Sequence, residues 1–319
     1  MTELLFTTND VAKMLQVDKS TVKRWTDDGK LKCFRTPGGH RKFRAEDLYQ
    51  FMADYSYGIS PPDFYPQFAS DESVIRRMIA EKEFNVLESV CFSAAIKGKR
   101  DEVVKLFSET YKNGLGLPQI FDEILRPTVK KISELNLSGK VLDSEKQLAH
   151  NALSNGVLLF SDIIHKPASS GRKAICAMVE DDLDDIELKA LAVLLESRGF
   201  EVLNLGTAAE TESIAQLVRS KQPHFVFLIA SKVANADALA KQLREIQTEL
   251  QVFGGKLIIG GTGCTKDLLT TALRGLYSAV CVNFKEFAQL QNEKIDPKNQ
   301  STRQGDSMND EQSSVNSDQ

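Results

Sequence analysis

The side chains best equipped for chemistry crowd into a short stretch near the start of the chain. Between Lys19 and Arg44, nine basic residues (Lys19, Lys23, Arg24, Lys30, Lys32, Arg35, Arg41, Lys42 and Arg44) outnumber two acidic ones, Asp27 and Asp28. This local charge of +7 sits in a 319-residue chain of formal net charge −4, so the remainder carries about −11. Lys and Arg suit phosphate oxygens and guanine edges, and short hydroxyls such as Ser20 and Thr21 at a helix start suit phosphate. A run of cations taken alone is most often a solvated face. Its meaning depends on the elements that carry it.

Other reactive side chains are dispersed. Cys33, Cys91, Cys176, Cys264 and Cys281 form no CxxC pair and are odd in number, which suggests neither a disulfide framework nor a zinc site. They read as small buried apolar residues. His150, His165 and His224 lie far apart and join no ligand cluster. No catalytic residue and no metal site are expected, and the chain is read as a non-enzyme.

The basic stretch falls on a recognisable layout. Thr8-Asn9-Asp10 offers caps to a short amphipathic helix with Val11, Ala12, Met14 and Leu15 apolar, and Asp18 begins a second helix, Asp18–Asp28, bearing Val22 and Trp25. After Gly29, Leu31–Phe43 reads as a hairpin bent at Pro37-Gly38-Gly39, and a third helix runs from Ala45 to about Met52. Helix, tight turn, helix, basic hairpin is a winged helix-turn-helix. The second helix would present Lys19, Ser20, Thr21, Lys23 and Arg24 to a DNA groove, and the wing would add Arg35, Thr36, His40, Arg41, Lys42 and Arg44. Trp25 is expected to pack the small core.

Further along, Tyr55–Phe68 has linker composition. Apolar residues then recur at helical spacing to about Lys166, broken at Gly98, Gly114–Pro118 and Ser138-Gly139, which predicts a bundle of about four helices. Five apolar strands follow, Lys173–Val179, Glu201–Leu205, His224–Ile229, Lys256–Ile259 and Ala279–Val282, with helices starting near Asp185, Thr211, Ala234 and Lys266. That alternation predicts a doubly wound parallel sheet, whose ligands would sit at the carboxyl ends of the strands. The fold class is therefore multidomain: an α/β winged helix-turn-helix (residues 1–54), a linker (55–70), an all-α helical bundle (71–168), an α/β doubly wound five-stranded domain (169–291) and a polar tail (292–319) expected to be disordered. With 42% hydrophobic and 26% charged residues, no long apolar run and a polar N-terminus, a cytoplasmic protein with no membrane partner is expected.

Specific motifs sharpen this reading. Phe6-Thr7-Thr8-Asn9-Asp10-Val11-Ala12, Thr21-Val22-Lys23-Arg24-Trp25, Gly29-Lys30-Leu31 and Arg35-Thr36-Pro37-Gly38-Gly39-His40-Arg41 resemble the MerR-type and excisionase-like DNA-binding domain. The resemblance implies a homodimer or higher homo-oligomer on double-stranded promoter DNA. The bundle and doubly wound domain resemble the cobalamin-binding pair of methionine synthase and of light-sensing regulators of the CarA/CarH/LitR type. In that family an Asp-x-His-x-x-Gly loop supplies the histidine that ligates cobalt. Here the stretch reads Asp182-Leu183-Asp184-Asp185-Ile186-Glu187, with Asp184 at the histidine position and Glu187 at the glycine position. A carboxylate is a harder donor than imidazole, and Glu187 adds bulk and charge where glycine admits the nucleotide tail.

Ser231 and the Gly260-Gly261 turn match the family pattern, although a glycine turn after a parallel strand is more often simply a tight βα connection. The family's bundle tryptophan and Glu-His pair are missing: the sole tryptophan is Trp25, and Lys146-Gln147 stands where Glu-His is expected, with His150 about one turn on. The leading expectation is a sequence-specific DNA-binding regulator with a degenerate cobalamin-binding-like domain and no bound cofactor, acting through oligomerisation, a regulatory protein partner or another small ligand. Set against it are a regulator that holds a corrinoid base-off, a corrinoid methyltransferase or mutase subunit, and an adaptor that grips protein with its winged domain.

Overall fold

A computed structural model describes residues 5–15, 17–44, 47, 48, 51, 54, 72–179, 184–207 and 210–290. The expected linker (55–70) and tail (292–319), most of the third helix of the winged domain, and Asp182 lie outside the described residues.

The N-terminal unit runs β1 (Leu5–Thr7), α1 (Thr8–Met14), α2 (Lys19–Asp27), β2 (Phe34–Arg35) and β3 (Arg41–Arg44). The start of α1 is capped by Thr7: its Oγ1 accepts from the Asp10 amide at 3.2 Å, and the Asp10 carboxylate accepts from the Thr7 amide at 2.8 Å. β1, which the sequence pattern did not announce, pairs antiparallel with β3 in the register Leu5↔Arg44, Phe6↔Phe43, Thr7↔Lys42. β3 also pairs β2, giving the sheet order β1-β3-β2. The wing is thereby sewn to the helical core by a strand. Phe6, Val11, Leu15, Val22, Leu31 and Phe43 fill that core, and Trp25 packs on Phe51 with ring centroids 4.9 Å apart.

The helical region comprises α3 (Glu72–Ala80), α4 (Phe84–Ile96), α5 (Arg100–Lys112), α6 (Leu117–Ile120), a π-helical turn (Phe121–Leu125), α7 (Arg126–Leu137) and α8 (Asp143–Ser161). The breaks at Gly98, Gly114 and Gly139 fall as expected, each with positive φ; a further one at Lys82 (φ 59°) was not expected. The π turn precedes Pro127, which lacks the N–H that an α-helix would give to the carbonyl four residues back. Gly156 lets α8 cross α5 closely, since a Cβ there would lie 2.9 Å from Val103 Cγ1.

The doubly wound domain runs β4 (Lys173–Met178), α9 (Ile186–Glu196), β5 (Glu201–Gly206), α10 (Thr211–Lys221), β6 (Phe225–Ile229), α11 (Ala236–Gln251), β7 (Lys256–Gly260), α12 (Lys266–Thr270), β8 (Ala279–Cys281) and α13 (Phe284–Leu290). All neighbouring strands are parallel, in the order β5-β4-β6-β7-β8. Buried strands covered on both faces read as continuous apolar runs, and β6 (FVFLI) is buried throughout. Alternate residues serve two cores: Phe225, Phe227 and Ile229 join the core shared with α9 and α13, while Val226 and Leu228 join that of α10 and α11. α8 packs against α9, so the bundle and the doubly wound domain meet along a seam.

Candidate functional site

Two regions bring the sequence-flagged residues together. The first is the cationic face of the N-terminal unit. α2 buries only Val22, and its first turn carries no acidic residue, so Lys19, Ser20, Lys23 and Arg24 are exposed and Thr21 is half-buried. The wing tip closes with the Gly39 amide on the Thr36 carbonyl (2.8 Å) and the Thr36 amide on the His40 carbonyl (3.0 Å), with Gly39 at φ +79°. Arg35, His40 and Arg44 are exposed beside it, and Lys42 is half-buried. The Arg44 guanidinium lies 5.8 Å from the centroid of the Phe34 ring.

Arg41 behaves differently from the open cation that the sequence suggested. Its side chain is 15% exposed and its Nη2 donates to Asp27 Oδ1 at the end of α2. It therefore ties the wing to the second helix and sets the angle between the two cationic elements.

The second region is the seam below the carboxyl ends of β4, β7 and β8. Asp122 in the π turn accepts from the Phe284 and Lys285 amides at 2.9 and 3.1 Å, holding the start of α13. Arg126, one helical turn on, donates from Nε to Glu187 at 2.7 Å and from Nη1 to the Val282 carbonyl, with its guanidinium 5.6 Å from the centroid of the Phe284 ring. The Arg126 and Glu187 side chains are only 14% and 12% exposed. Burial pushes the Glu187 carboxyl up from its ordinary range, and the adjacent Arg126 charge opposes that. Burial likewise raises Asp122 against its two amide donors and Arg126.

Asp184 points to the bundle: its Oδ1 lies 3.5 Å from His150 Nε2 on α8. Asp185 accepts from Lys189 Nζ at 2.7 Å and from Ser154 Oγ at 3.2 Å. His150 is thus neither solvated nor simply packed, as a lone helix histidine would suggest; it pairs across the seam. The cavity beside it, bordered by Val129, Ile132, Lys146, Leu153 and Ile186, measures about 20 Å³.

Ser231 and the Gly260-Gly261 turn lie close together, Thr262 Oγ1 donating to the Ser231 carbonyl at 3.4 Å. The glycines have a local cause. A Cβ on Gly260 would meet the Cys281 carbonyl oxygen at 2.4 Å, one on Gly261 the Ala230 carbonyl oxygen at 2.3 Å, and one on Gly263 the Lys232 amide at 2.8 Å. The chain's own backbone occupies the space that a side chain would need. Cys91, Cys176, Cys264 and Cys281 are buried, and their thiols are raised by burial. Among the described residues, no three His, Cys, Asp or Glu side chains converge as a metal site, and no helix is long and apolar enough to cross a membrane.

The His150–Asp184 pair predicts a pH signature. The hydrogen bond to Asp184 raises His150 above its ordinary 6.5, against burial. Burial pushes Asp184 up, but the hydrogen bond and charge of His150 prevail and hold it below 3.8. The histidine's contribution to stability is full below 6.5 and lost as pH rises through its raised value; that of Asp184 is present above 3.8 and lost as pH falls through its lowered value. Thermal unfolding between about pH 5.5 and 8 should therefore show declining stability as pH rises. His150→Gln should flatten that decline, and an unchanged profile would remove the pair from the account.

Comparison with known proteins places these regions. Residues 5–56 match the helix-turn-helix domain family and residues 172–283 match the B12 binding domain family. The transcriptional repressor DcmR of Methylorubrum extorquens (strain DSM 6343 / CIP 106787 / DM4) is 28% identical over 190 residues, 59% of this chain and 65% of the repressor. The chain thus spans just under two thirds of that relative's length. Dimethylamine corrinoid protein 1 of Methanosarcina acetivorans is 22% identical over 175 residues, 54% of this chain and 82% of that protein. Among solved structures, the monomethylamine corrinoid protein of Methanosarcina barkeri superposes with a TM-score of 0.53 at 17% identity, covering 63% of this chain and 94% of that one. At that identity the likeness is one of fold. The chain carries a helix-turn-helix domain, a helical region and a parallel five-stranded domain of the B12-binding type.

Proposed function

We propose that this chain is a sequence-specific transcriptional regulator, binding double-stranded promoter DNA as a homodimer or higher homo-oligomer, and that its B12-binding-type domain works without a corrinoid. The observation that carries the DNA reading is the exposed cationic face: Lys19, Lys23 and Arg24 on α2 beside Arg35, His40 and Arg44 on a wing fixed by the Arg41–Asp27 bond. The likeness to a transcriptional repressor supports it. The protein acts by binding, in the cytoplasm, with no catalytic role; a regulatory protein partner on the acidic body is part of this reading.

The cofactor-free reading rests on the seam. The residues there do not suit a corrinoid: Asp184 offers a carboxylate already engaged by His150, and Glu187 is committed to Arg126 across the contact that a corrin would have to part. Gly260 and Gly261 are accounted for by packing against Cys281 and Ala230. A base-off corrinoid regulator is the second reading, favoured by the match to the B12 binding domain family and by the retained Ser231 beside the glycine turn.

One experiment separates these readings. The purified full chain, incubated in the dark with excess hydroxocobalamin or adenosylcobalamin and passed through a sizing column, should emerge without visible absorbance. A coloured protein peak would overturn the cofactor-free reading. The same preparation should bind duplexes selected from a random-sequence pool with an affinity that falls steeply with salt. Binding that is indifferent to salt or to sequence would instead favour the protein-gripping adaptor.

A further inference from the structure

The outward face of α8 differs from the rest of this charged surface. From Gln147 to Ser161 the exposed residues are Gln147, Leu148, Asn151, Asn155, Leu158 and Leu159, and none of them is ionisable. Leu148 is 52% and Leu158 45% exposed, and Leu159 beside them 38%, whereas Leu153 on the opposite face is buried. Leu148, Asn151, Asn155 and Leu158 are spaced three, four and three apart, which aligns them along one stripe about 15 Å long. The stripe reads Leu, Asn, Asn, Leu from either end.

We propose that this stripe is the contact through which a second copy of the chain docks, with the two α8 helices antiparallel about a two-fold axis. A two-fold interface sets the same patch against itself, so it must be complementary to its own reverse. Antiparallel pairing across the stripe brings Leu148 opposite Leu158 of the second copy and Asn151 opposite Asn155 of the second copy. Apolar meets apolar at both ends, and amide meets amide in the middle, where each supplies donors and an acceptor. Charge argues for the same occupant. Outside the basic stretch each copy carries about −11, so two copies repel unless they meet on an uncharged face.

The flank is suited too. A groove of about 460 Å³ runs between Leu148, Asn151 and Asn155 and the turn at Gly98, and its rim charges cancel internally as Lys99–Glu102 and Arg100–Asp101 pairs, each at 2.9 Å. The stripe is short, so the free-protein dimer should lie on the order of micromolar in dissociation constant.

This inference supplies the surface for the pairing in the proposed function and rests on that reading only for its purpose; the test omits DNA, so the two can fail separately. Sedimentation equilibrium of the full chain well above micromolar concentration should give a dimer. Asn151→Lys/Asn155→Lys, at two exposed positions that leave the circular dichroism spectrum intact, should give a monomer under the same conditions. Asn151→Lys/Asn155→Glu should remain dimeric, because antiparallel pairing sets each lysine against a glutamate, whereas parallel pairing would oppose like charges. A monomeric wild type, a lysine pair that stays dimeric, or a Lys/Glu variant that falls apart would each overturn the proposal.

Discussion

Arg126→Ala is expected to lower the midpoint of thermal unfolding by on the order of 10 °C and to split the transition in two. The guanidinium holds Glu187 at 2.7 Å, approaches Asp122 at 3.7 Å, caps the Val282 carbonyl and lies over Phe284. Removing it strands the Glu187 carboxylate at a position 12% exposed, and breaking a buried pair from one side costs about 3–5 kcal/mol. For a unit of this size each kcal/mol moves the midpoint by about 2–4 °C. The split follows from the location. Arg126 belongs to the bundle and Glu187 to the doubly wound domain, so losing their bond weakens the shared contact through which the two unfold together. Arg126→Met/Glu187→Leu should recover most of the loss, since a volume-matched apolar pair leaves no orphaned Glu187 charge and Asp122 keeps its two amide donors. Differential scanning calorimetry of both variants decides the matter: a single unshifted transition in Arg126→Ala would mean that the seam is held elsewhere.

The second large effect concerns DNA. Arg24→Ala should weaken binding to a selected duplex about 10–100-fold, the usual worth of a well-placed arginine contact. The manner of the loss identifies the contact. A phosphate contact would lower the slope of log affinity against log salt by about one and weaken all sequences alike, whereas a base contact would flatten the preference for the selected sequence. Arg41→Ala should act differently, because Arg41 is engaged with Asp27. It frees the wing from α2, and Asp27→Ala should reproduce much of its effect while leaving every cation in place. Fluorescence anisotropy over a salt series measures all three variants. Undiminished binding by Arg24→Ala would remove α2 from the interface.

The seam and the wing differ in how far the sequence disclosed them. The doubly wound sheet was legible because parallel strands covered on both faces read as apolar runs: Phe225–Ile229 and Leu257–Ile259 are announced by composition alone. The winged domain was legible because turn glycines and alternating apolar residues act over a few positions, as at Gly39. β1 was not, because three residues carry no periodicity and its pairing with Lys42–Arg44 is a contact across the whole module. α13 was missed for a similar reason, being one short helix held by Asp122 from 162 residues away. The same limit hid the chemistry of the seam. Glu187 read as an added charge in place of a glycine, but its counter-charge lies 61 residues earlier, on a helix whose local pattern gives no sign of where Arg126 points. His150 read as unremarkable because Asp184 reaches it only through tertiary packing.

The π turn at Phe121–Leu125 has a consequence for how this seam can be lost. Asp122 and Arg126 sit at the two ends of that turn, so their phase around the helix axis is set by the extra residue that it accommodates ahead of Pro127. One residue fewer rotates everything on one side of the deletion by about 100° relative to the other. Asp122 would then no longer address the Phe284 amide while Arg126 addresses Glu187, although both side chains would still be present. The coupling of bundle and doubly wound domain is written in the length of this segment as much as in the identity of its residues.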